Sequence, residues 1–226
     1  MYKKKKIVAL ITARANSQRL KKKNFLTIFK KPLIFWTISS ALKSKYLDNI
    51  FVSSDMDEIL KYSKKYKRIK LIKRKKYLSR SDSSIHDVIN NFLKNQKERF
   101  DYICLLQPTS PLRRSSDIDV SIKKIINTDC MSLISVSKMK NHNFKVSLDK
   151  KCLLKKKIKK TKYFINGAIY ISKINFKKKI RNFMTPKTLG YIMPKNRSID
   201  IDTLEDFKKA EIILKKNKKF NQYSHA

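Results

Sequence analysis

The sequence has few of the residues that shape or cross-link many small domains. Only two of its 226 residues are glycines, Gly167 and Gly190, so neither a GxxxxGK phosphate-binding loop nor a GxGxxG dinucleotide-binding turn can occur. The three cysteines, Cys104, Cys130 and Cys152, are too few and too scattered for a disulfide framework or a zinc site. We interpret them as core or surface thiols in a reducing cytoplasm.

Long apolar runs are also missing. No segment approaches the roughly 18 consecutive apolar residues that a membrane helix requires, so we expect a soluble protein with no membrane partner. The lysines before Ile7 to Ala13 resemble the start of a signal peptide, but Arg14, Arg19 and three more lysines follow where a cleavage site needs small residues. We therefore interpret Ile7 to Ala13 as a buried first strand.

Acidic residues are scarce, with 17 Asp and Glu against 56 Lys and Arg and a formal net charge of +39. A chain this basic binds polyanions non-specifically at low salt, and a nucleic-acid-binding protein is one function that the composition permits. The lysines, however, are spread over nearly every element instead of marking one face. This dispersion favours compositional drift toward lysine, and we expect no specific nucleic-acid partner.

The length and the 41% hydrophobic content predict one well-buried core, and hence a single domain over residues 1–226. Short apolar runs alternate with amphipathic segments, which predicts an α/β fold with a mostly parallel sheet. Ligands in such sheets bind beyond the carboxyl ends of the strands. The predicted strands are Ile7 to Ala13, Ile50 to Ser54, Ile69 to Ile72, Tyr102 to Leu106, Leu133 to Val136 and Ala168 to Ile171.

Three helix starts are indicated between these strands. Pro32 suits the first turn of a helix, since apolar residues then recur at helical spacing. Ser84 with Asp87, and Thr203 with Asp206, have the spacing of capping boxes.

The stretch from Met139 to Phe164 breaks the alternation. Lys145 to Leu148 and Cys152 to Leu154 predict a hairpin that turns at Asp149 and Lys150. Such an arm is either a partner-binding element or a basic surface loop, and the residues alone do not separate these two interpretations.

The loop after the first strand carries the sharpest chemical pattern. Arg14 to Asn24 supplies Arg, Ser, Lys and Asn directly after a buried strand, and cations with backbone amides can share the charge of a triphosphate. A solvated basic turn is the alternative.

Two further segments could carry chemistry. Gln107 to Arg113 forms a turn bracketed by two prolines at the end of a predicted strand, which would preorganise its hydrogen-bonding side chains. In Ser198 to Asp202, Asp200 and Asp202 share one face of an extended segment, and paired carboxylates suit Mg²⁺. The alternative for both segments is the capping of the helix that follows.

Taken in order, these motifs resemble the acylneuraminate cytidylyltransferase family, the CMP-N-acetylneuraminic acid synthetases, from about Ile7 to Leu214. The resemblance implies a Rossmann-like nucleotidyltransferase and a homodimer held by a protruding, exchanged hairpin arm at residues 139–164. It also implies Mg²⁺-dependent attack by the anomeric hydroxyl of an acidic 2-keto sugar on the α-phosphorus of CTP. The motifs that carry it are ITARANSQRLKKKN, KPLIFWTI, IFVSSD, LLQPTSPLR, INGAIYI and SIDIDTLEDF.

The resemblance also implies roles for individual residues. Arg14 and Lys23 match catalytic and triphosphate-binding basic residues, while Gln107 matches a sugar-contacting glutamine and Asp200 and Asp202 match metal ligands. Lys145 matches a basic residue that the partner's arm donates to the sugar carboxylate. The other positions implied to contact the nucleotide are Asn16, Ser17, Asn24, Arg74 and Ser84.

The sequence departs from the family pattern at several positions. Gln18 stands where the family has Lys, Arg19 where it has Gly, and Phe164 where it has an arginine expected to contact the sugar carboxylate. The segment from Arg74 to Ser84 is one residue short. These changes leave open a Kdo-type cytidylyltransferase or an inactive homologue, besides the nucleic-acid-binding alternative.

Overall fold

A computed structural model describes residues 1–15, 17, 19–80, 82–138, 145–155 and 163–217. The strands are β1 (Ile7–Ala13), β2 (Thr27–Ile28), β3 (Lys31–Pro32), β4 (Asn49–Ser54), β5 (Ile69–Lys73), β6 (Tyr102–Leu106), β7 (Ser132–Lys138), β8 (Lys145–Leu148), β9 (Leu154–Lys155), β10 (Tyr163–Lys173) and β11 (Thr188–Ile192). The α-helices are α1 (Leu33–Leu42), α2 (Asp57–Ser63), α3 (Ile85–Lys94), α4 (Ser115–Ile126) and α5 (Leu204–Lys216).

The central sheet has the order β11-β7-β10-β6-β1-β4-β5. Within the described residues, β10 runs antiparallel to both of its neighbours in this order, and the other adjacent pairs are parallel. The predicted α/β fold with a mostly parallel sheet is therefore confirmed. In the sheet, β4 lies on one side of β1 and β6 lies on the other. The strand order therefore reverses at β1, and a ligand-binding crevice is expected beyond the carboxyl ends of β1 and β6.

The sheet is buried on both faces, as the apolar runs predicted. Along β1, Ile7, Ala9, Ile11 and Ala13 pack with residues of α1, α2 and α4 in one hydrophobic cluster. The intervening Val8 and Leu10 pack with residues of α3 on the opposite face. This alternation follows from the two-residue period of a strand, and it gives three layers with the sheet in the middle.

The two predicted capping boxes have different outcomes. Thr203 and Asp206 form the reciprocal box at the start of α5. Ser84 caps α3, but its hydroxyl accepts a hydrogen bond from the amide of His86, and the Asp87 side chain completes no box. The Ser84 prediction was therefore right about the helix start and wrong about its reciprocal partner.

The predicted hairpin forms but does not protrude in its described part. Strands β8 and β9 pair, and the Asp149 carboxylate accepts hydrogen bonds from the amides of Lys151 and Leu153 in the turn. Val146 and Leu154 are buried in the same cluster as α3. Residues 139–144 and 156–162 of the predicted arm lie outside the described residues.

Several elements were not predicted from sequence. Helices α2 and α4, strand β11 and most of the length of β10 belong to this group. In the described parts of the chain, no helix combines the length and apolar character needed to cross a membrane.

Candidate active site

A cleft of about 500 Å³ opens at the carboxyl ends of β1, β5 and β6, where the strand order predicts a ligand. Polar and charged side chains from four separate segments line it, and most were predicted as site residues from sequence. The predicted residues in its lining are Arg14, Ser17, Lys23, Asn24, Arg74, Gln107, Asp200 and Asp202.

The loop after β1 is held by side chains beneath it. The Asn24 amide donates to the carbonyl of Arg14 at 3.1 Å, and Asn24 is buried. The Asp55 carboxylate, at the end of β4, accepts from the amide of Ala15 at 2.9 Å. These contacts hold the backbone at Arg14 and Ala15 and link it to Asn24, the residue after Lys23.

Lys23 joins the loop to the acidic segment before α5. Its ammonium donates to the carbonyl of Ile201 at 2.5 Å and lies 3.0 Å from Asp202 Oδ1. Arg19, a departure from the family pattern, contacts the other carboxylate oxygen of Asp202 at 3.0 Å. The side chain of Lys23 is only 12% exposed, whereas Arg19 is 66% exposed, so the lysine is the more constrained cation.

Arg74 forms a second cationic wall. It is buried, and its guanidinium donates to the carbonyl of Ser53 at 2.9 Å. Burial lowers the pKa of Arg74 to about 10; Asp55 opposes this shift and Arg14 adds to it. The side chain stays protonated at neutral pH and adds fixed positive charge beside Arg14.

Gln107 follows β6, and its carbonyl is fixed from several directions. It accepts from Arg113 at 3.2 Å and from the Thr37 hydroxyl at 3.3 Å. The same loop supports the acidic segment, because the carbonyl of Thr109 accepts from the amide of Ile201 at 2.8 Å.

A bulge in β10 lies against two of the side chains that line the cleft, those of Gln107 and Asp200. The pairing of β10 with β7 shifts between Ile165 and Tyr170, and Gly167 has a φ of 71°. A Cβ on Gly167 would lie 2.8 Å from Oε1 of Gln107 and 3.0 Å from Oδ2 of Asp200. Glycine is therefore required both for its backbone conformation and for the close approach of two site side chains.

A buried polar network holds the bulge. The Asn166 side chain accepts from the Ser135 hydroxyl at 2.6 Å and donates to the Ser198 hydroxyl at 3.1 Å. Ser198 is the first residue of the segment Ser198 to Asp202, so Asn166 connects β7, β10 and that segment. Sequence reasoning missed this role, although a rare glycine inside a strand is a recognised mark of a bulge.

Asp200 is the most perturbed acid of the cleft. Its Oδ1 is buried and has no hydrogen-bond partner among the described residues. Burial raises the pKa of Asp200 to about 6; Asp202 adds to the shift, while Thr109 and Lys23 oppose it. An unsatisfied buried carboxylate oxygen facing a cleft has the chemistry of a cation ligand.

The donor set limits which metal could bind. In the described ranges no group of three or more His, Cys, Asp and Glu side chains could hold an ion without help from a ligand. Two carboxylates, Asp200 and Asp202, suit Mg²⁺ better than zinc or calcium, because Mg²⁺ commonly keeps waters and binds substrate phosphates.

Three predicted site residues, Ser84, Lys145 and Asn16, are not among the described residues that line the cleft. Ser84 lies at the start of α3, where its neighbours Ser83 and Ile85 line the cleft. Lys145 pairs with Phe164 at the start of β8, and its side chain is outside the described atoms. Asn16 is also outside the described residues. Their assigned roles remain predictions.

Phe164 stands where the family has an arginine, and it is buried with 4% exposure. Sequence reasoning also missed Asp55, which supports the first loop, and Arg113, which supports Gln107. Another missed residue is Asp117, fully buried at the start of α4, which accepts from Arg197 at 2.6 Å and from Tyr191 at 2.8 Å.

Comparisons with solved structures agree with the fold. A CMP:2-keto-3-deoxy-manno-octonic acid synthetase complexed with CTP superposes with a TM-score of 0.71 over 93% of this chain and 98% of that one, at 15% identity. A 4-diphosphocytidyl-2C-methyl-D-erythritol synthase from Anaerococcus prevotii gives a TM-score of 0.66, also at 15% identity, over 94% of this chain and 97% of that one. At these identities the likeness concerns the fold alone.

Sequence comparisons extend over most of the chain. An N-acylneuraminate cytidylyltransferase of Streptococcus agalactiae is 32% identical over 89% of this chain, which spans about half, 52%, of that relative. A pseudaminic acid cytidylyltransferase of Campylobacter jejuni is 29% identical over 94% of this chain and 97% of the relative. A CMP-N,N'-diacetyllegionaminic acid synthase of Legionella pneumophila is 30% identical with the same coverage.

The sequence model of the cytidylyltransferase family matches residues 8–224, which include every segment that lines the cleft. Together with relatives of about 30% identity, this match confirms the resemblance inferred from the six motifs. The chain belongs to the cytidylyltransferase family.

Proposed function

We propose that this protein transfers CMP from CTP to the anomeric hydroxyl of a sialic acid or related nonulosonic acid and releases pyrophosphate. The observation that carries the proposal is the convergence of Lys23, Gln107, Asp200 and Asp202 on one cleft at the carboxyl ends of β1 and β6. These residues come from distant parts of the chain, and each belongs to a motif that the family resemblance singled out.

The cationic end of the cleft suits the triphosphate. Arg14, Lys23 and Arg74 line it, and the loop contacts described above fix the backbone that carries the first two. Phosphoryl transfer depends mainly on positioning and on charge stabilisation, because negative charge is spread over the transferring group. In this proposal Lys23 contacts the α-phosphate, where its ammonium follows the charge that develops during transfer.

The acidic end suits Mg²⁺, which we propose Asp200 and Asp202 hold together with phosphate oxygens. When bound, the metal neutralises phosphate charge and favours deprotonation of the attacking hydroxyl. The Asp202 carboxylate forms ion pairs with Lys23 and Arg19. A bound triphosphate offers both cations another anion, which frees Asp202 for the metal.

The side of the cleft near Gln107 suits the sugar. The Gln107 amide lies over Gly167 and beside Asp200, so a sugar hydroxyl held there lies close to the metal-binding carboxylates. The anionic sugar also benefits from the positive charge of the site, whose lining contains more basic than acidic residues.

The sequence relatives favour a nine-carbon acid over Kdo. The relatives at 29–32% identity carry the names of N-acylneuraminate, pseudaminic acid and diacetyllegionaminic acid enzymes. The Kdo-type structure shares 15% identity and supports the fold only.

The test is pyrophosphate release with CTP, Mg²⁺ and a panel of N-acetylneuraminic, pseudaminic, legionaminic and Kdo acids. We expect turnover with one nine-carbon acid and a kcat/KM for it at least about 10-fold above that for Kdo, since a mismatched substrate leaves polar site groups unpaired. Turnover with Kdo alone would replace the proposed substrate class. No turnover with any acid, in protein that binds CTP, would contradict the proposed function.

We further propose that the protein is a cytoplasmic homodimer in which the arm at residues 139–164 reaches the partner. The support is the family resemblance, since the described part of the hairpin, β8 and β9, packs against the core of its own chain. The cytoplasmic location is supported by three unpaired thiols and by the need for CTP.

A further inference from the structure

Arg113 is an unusual side chain because its guanidinium is buried without a carboxylate partner. It is 1% exposed, and within the described residues it forms no ion pair. It donates to the carbonyls of Gln107 at 3.2 Å and Ala168 at 2.7 Å, and to the hydroxyl of Thr37 at 2.7 Å. Taking a charged group out of water is costly, so a site that keeps one there needs a reason.

The three acceptors belong to the framework of the cleft. The Gln107 carbonyl is on the residue whose amide faces the cleft, and Ala168 directly follows the bulge residue Gly167. Thr37 belongs to α1, and its hydroxyl donates to the same Gln107 carbonyl at 3.3 Å. Arg113 thus connects the end of β6 to the bulge of β10. These are the two backbone segments that carry Gln107 and Gly167, and the Gln107 side chain lies over Gly167.

No acidic side chain among the described residues pairs with the buried guanidinium of Arg113. The Cys104 thiol and Asp117 influence Arg113 electrostatically, and the Asp117 carboxylate is already bound by Arg197 and Tyr191. A planar fork can satisfy several acceptors in fixed directions, which the single ammonium of a lysine cannot do.

We propose that Arg113 is a positioning residue that sets the distance between Gln107 and the Gly167 bulge, and thereby the binding of the sugar acid. The inference rests on the proposed function, because it assumes that Gln107 contacts the sugar. Arg113 touches neither substrate; it acts through Gln107.

The experiment is a double-mutant cycle with Gln107→Ala, Arg113→Lys and the combined variant, assayed for kcat and KM toward the sugar acid and toward CTP. Arg113→Lys should lower kcat/KM for the sugar by about 10-fold to 100-fold, as expected for a misplaced contact group, and leave the KM for CTP within about 2-fold. In the Gln107→Ala background the same substitution should have little further effect, because coupled residues are not additive.

Arg68→Lys is the matched control. Arg68 also donates to two backbone carbonyls, those of Leu42 and Leu47, away from the cleft. It should leave sugar kinetics unchanged. If Arg113→Lys does not fold, Thr37→Val removes the hydroxyl that bridges Arg113 and Gln107, and it should lower kcat/KM for the sugar in the same direction.

The outcomes separate the inference from the proposed function. Equal losses toward sugar and CTP, or full additivity with Gln107→Ala, would overturn the positioning role while leaving CMP transfer intact. Unchanged sugar kinetics in Gln107→Ala would overturn the inference, because it removes the sugar contact on which the inference rests, while CMP transfer by the wild-type protein would stand. The inference is supported if Arg113→Lys lowers kcat/KM for the sugar acid alone, and if this effect is absent in the Gln107→Ala background.

Discussion

The ammonium of Lys23 lies 3.0 Å from the carboxylate of Asp202, across 179 positions of the sequence. This contact joins the loop that follows β1 to the segment that precedes α5, so the proposed phosphate-binding and metal-binding residues form one charge-balanced unit. Lys23 also donates to the Ile201 carbonyl, which fixes its ammonium more tightly than a single ion pair would.

Lys23→Ala should lower kcat by about 10²-fold to 10³-fold, the usual cost of removing one contact made in the transition state. CTP binding should weaken much less, since Arg14 and Arg74 remain. The measurement is steady-state kinetics together with calorimetric binding of CTP. Lys21→Ala is the control, because Lys21 is exposed in the same loop. Equal small losses in both variants would mean that the loop acts only as a diffuse positive field.

Replacing both Asp200 and Asp202 by Asn should abolish Mg²⁺-dependent turnover without unfolding the protein, because the amide is a poor substitute for a charged ligand of a hard cation. The assay is pyrophosphate release against Mg²⁺ concentration, with circular dichroism to verify folding. Asp57→Asn, which removes an exposed carboxylate from α2, is the control. Full activity in the double variant would exclude the metal role of this pair.

Asp200→Asn alone should stabilise the metal-free protein as pH rises. The folded-state pKa of Asp200, raised by burial to about 6, lies above its ordinary value, so its contribution to stability is fully present below pH 4 and is lost as pH rises through 6. The free energy of unfolding of the variant, relative to wild type, should therefore increase by roughly 2 kcal/mol between pH 4 and pH 7.

Urea denaturation at several pH values in the presence of a chelator measures this difference. Asp202→Asn serves as the comparison variant, because it removes a neighbouring carboxylate whose side chain is 52% exposed. A pH-independent difference for Asp200→Asn would show that its carboxylate is solvated in the folded protein.

Gly167→Ala should damage the site and the fold together. The methyl group would collide with Gln107 and Asp200, and a positive φ in a non-glycine residue costs about 1–2 kcal/mol. We expect a lower melting temperature and at least about a 10-fold loss in kcat/KM for the sugar, because displaced side chains no longer hold the substrate in the position that reacts.

Gly190→Ala is a matched control for Gly167→Ala. A Cβ on Gly190 would collide with the side chain of Leu148 in the hairpin, away from the cleft. It should lower the melting temperature without selectively changing sugar kinetics. Equal kinetic losses in both variants would indicate a general loss of packing instead of a local effect at Gln107 and Asp200.

Deleting residues 145–159 should convert a dimer to monomers in sedimentation velocity, if the arm joins two protomers. Residues 156–159 lie outside the described residues, while Val146 and Leu154 are core residues, so the deletion should also lower stability. The double substitution Val146→Ala and Leu154→Ala keeps the hairpin and controls for that loss. A dimer that survives the deletion would refute the arm's role.

Much of the fold could be predicted because its signals are local. β1, β4 and β6 were located from apolar runs, since a strand buried on both faces has few polar positions to interrupt it, and β5 was located although most of it is exposed. β11 was missed because Gly190 and Tyr191 interrupt its apolar character, and α4 because its apolar residues follow a run of polar ones. The antiparallel direction of β10 has no local signal, since it depends on pairing partners distant in sequence.

Site residues were likewise predictable where their signal is local and missed where it depends on distant contacts. Residues in the loops after strands, such as Arg14, Lys23 and Gln107, were found because their motifs are continuous in sequence. Arg113 and Asn166 lie inside quoted motifs, yet their roles depend on contacts 55 and 31 positions away and could not be read locally.

The bulge at Gly167 lies in the middle of a strand that is paired on both sides, with β6 and with β7. Tyr170 and Ile171 lie in a central strand that is paired on both sides, so their amides should exchange with deuterium far more slowly than those of the loop carrying Lys23. Rearrangement of Arg19 requires only the loss of its ion pair to Asp202, and rearrangement of Lys23 requires the loss of its ion pair and of its hydrogen bond to the Ile201 carbonyl. In the proposed reaction, substrate entry and pyrophosphate departure can therefore proceed by side-chain exchange of partners, on a timescale independent of any opening of the sheet.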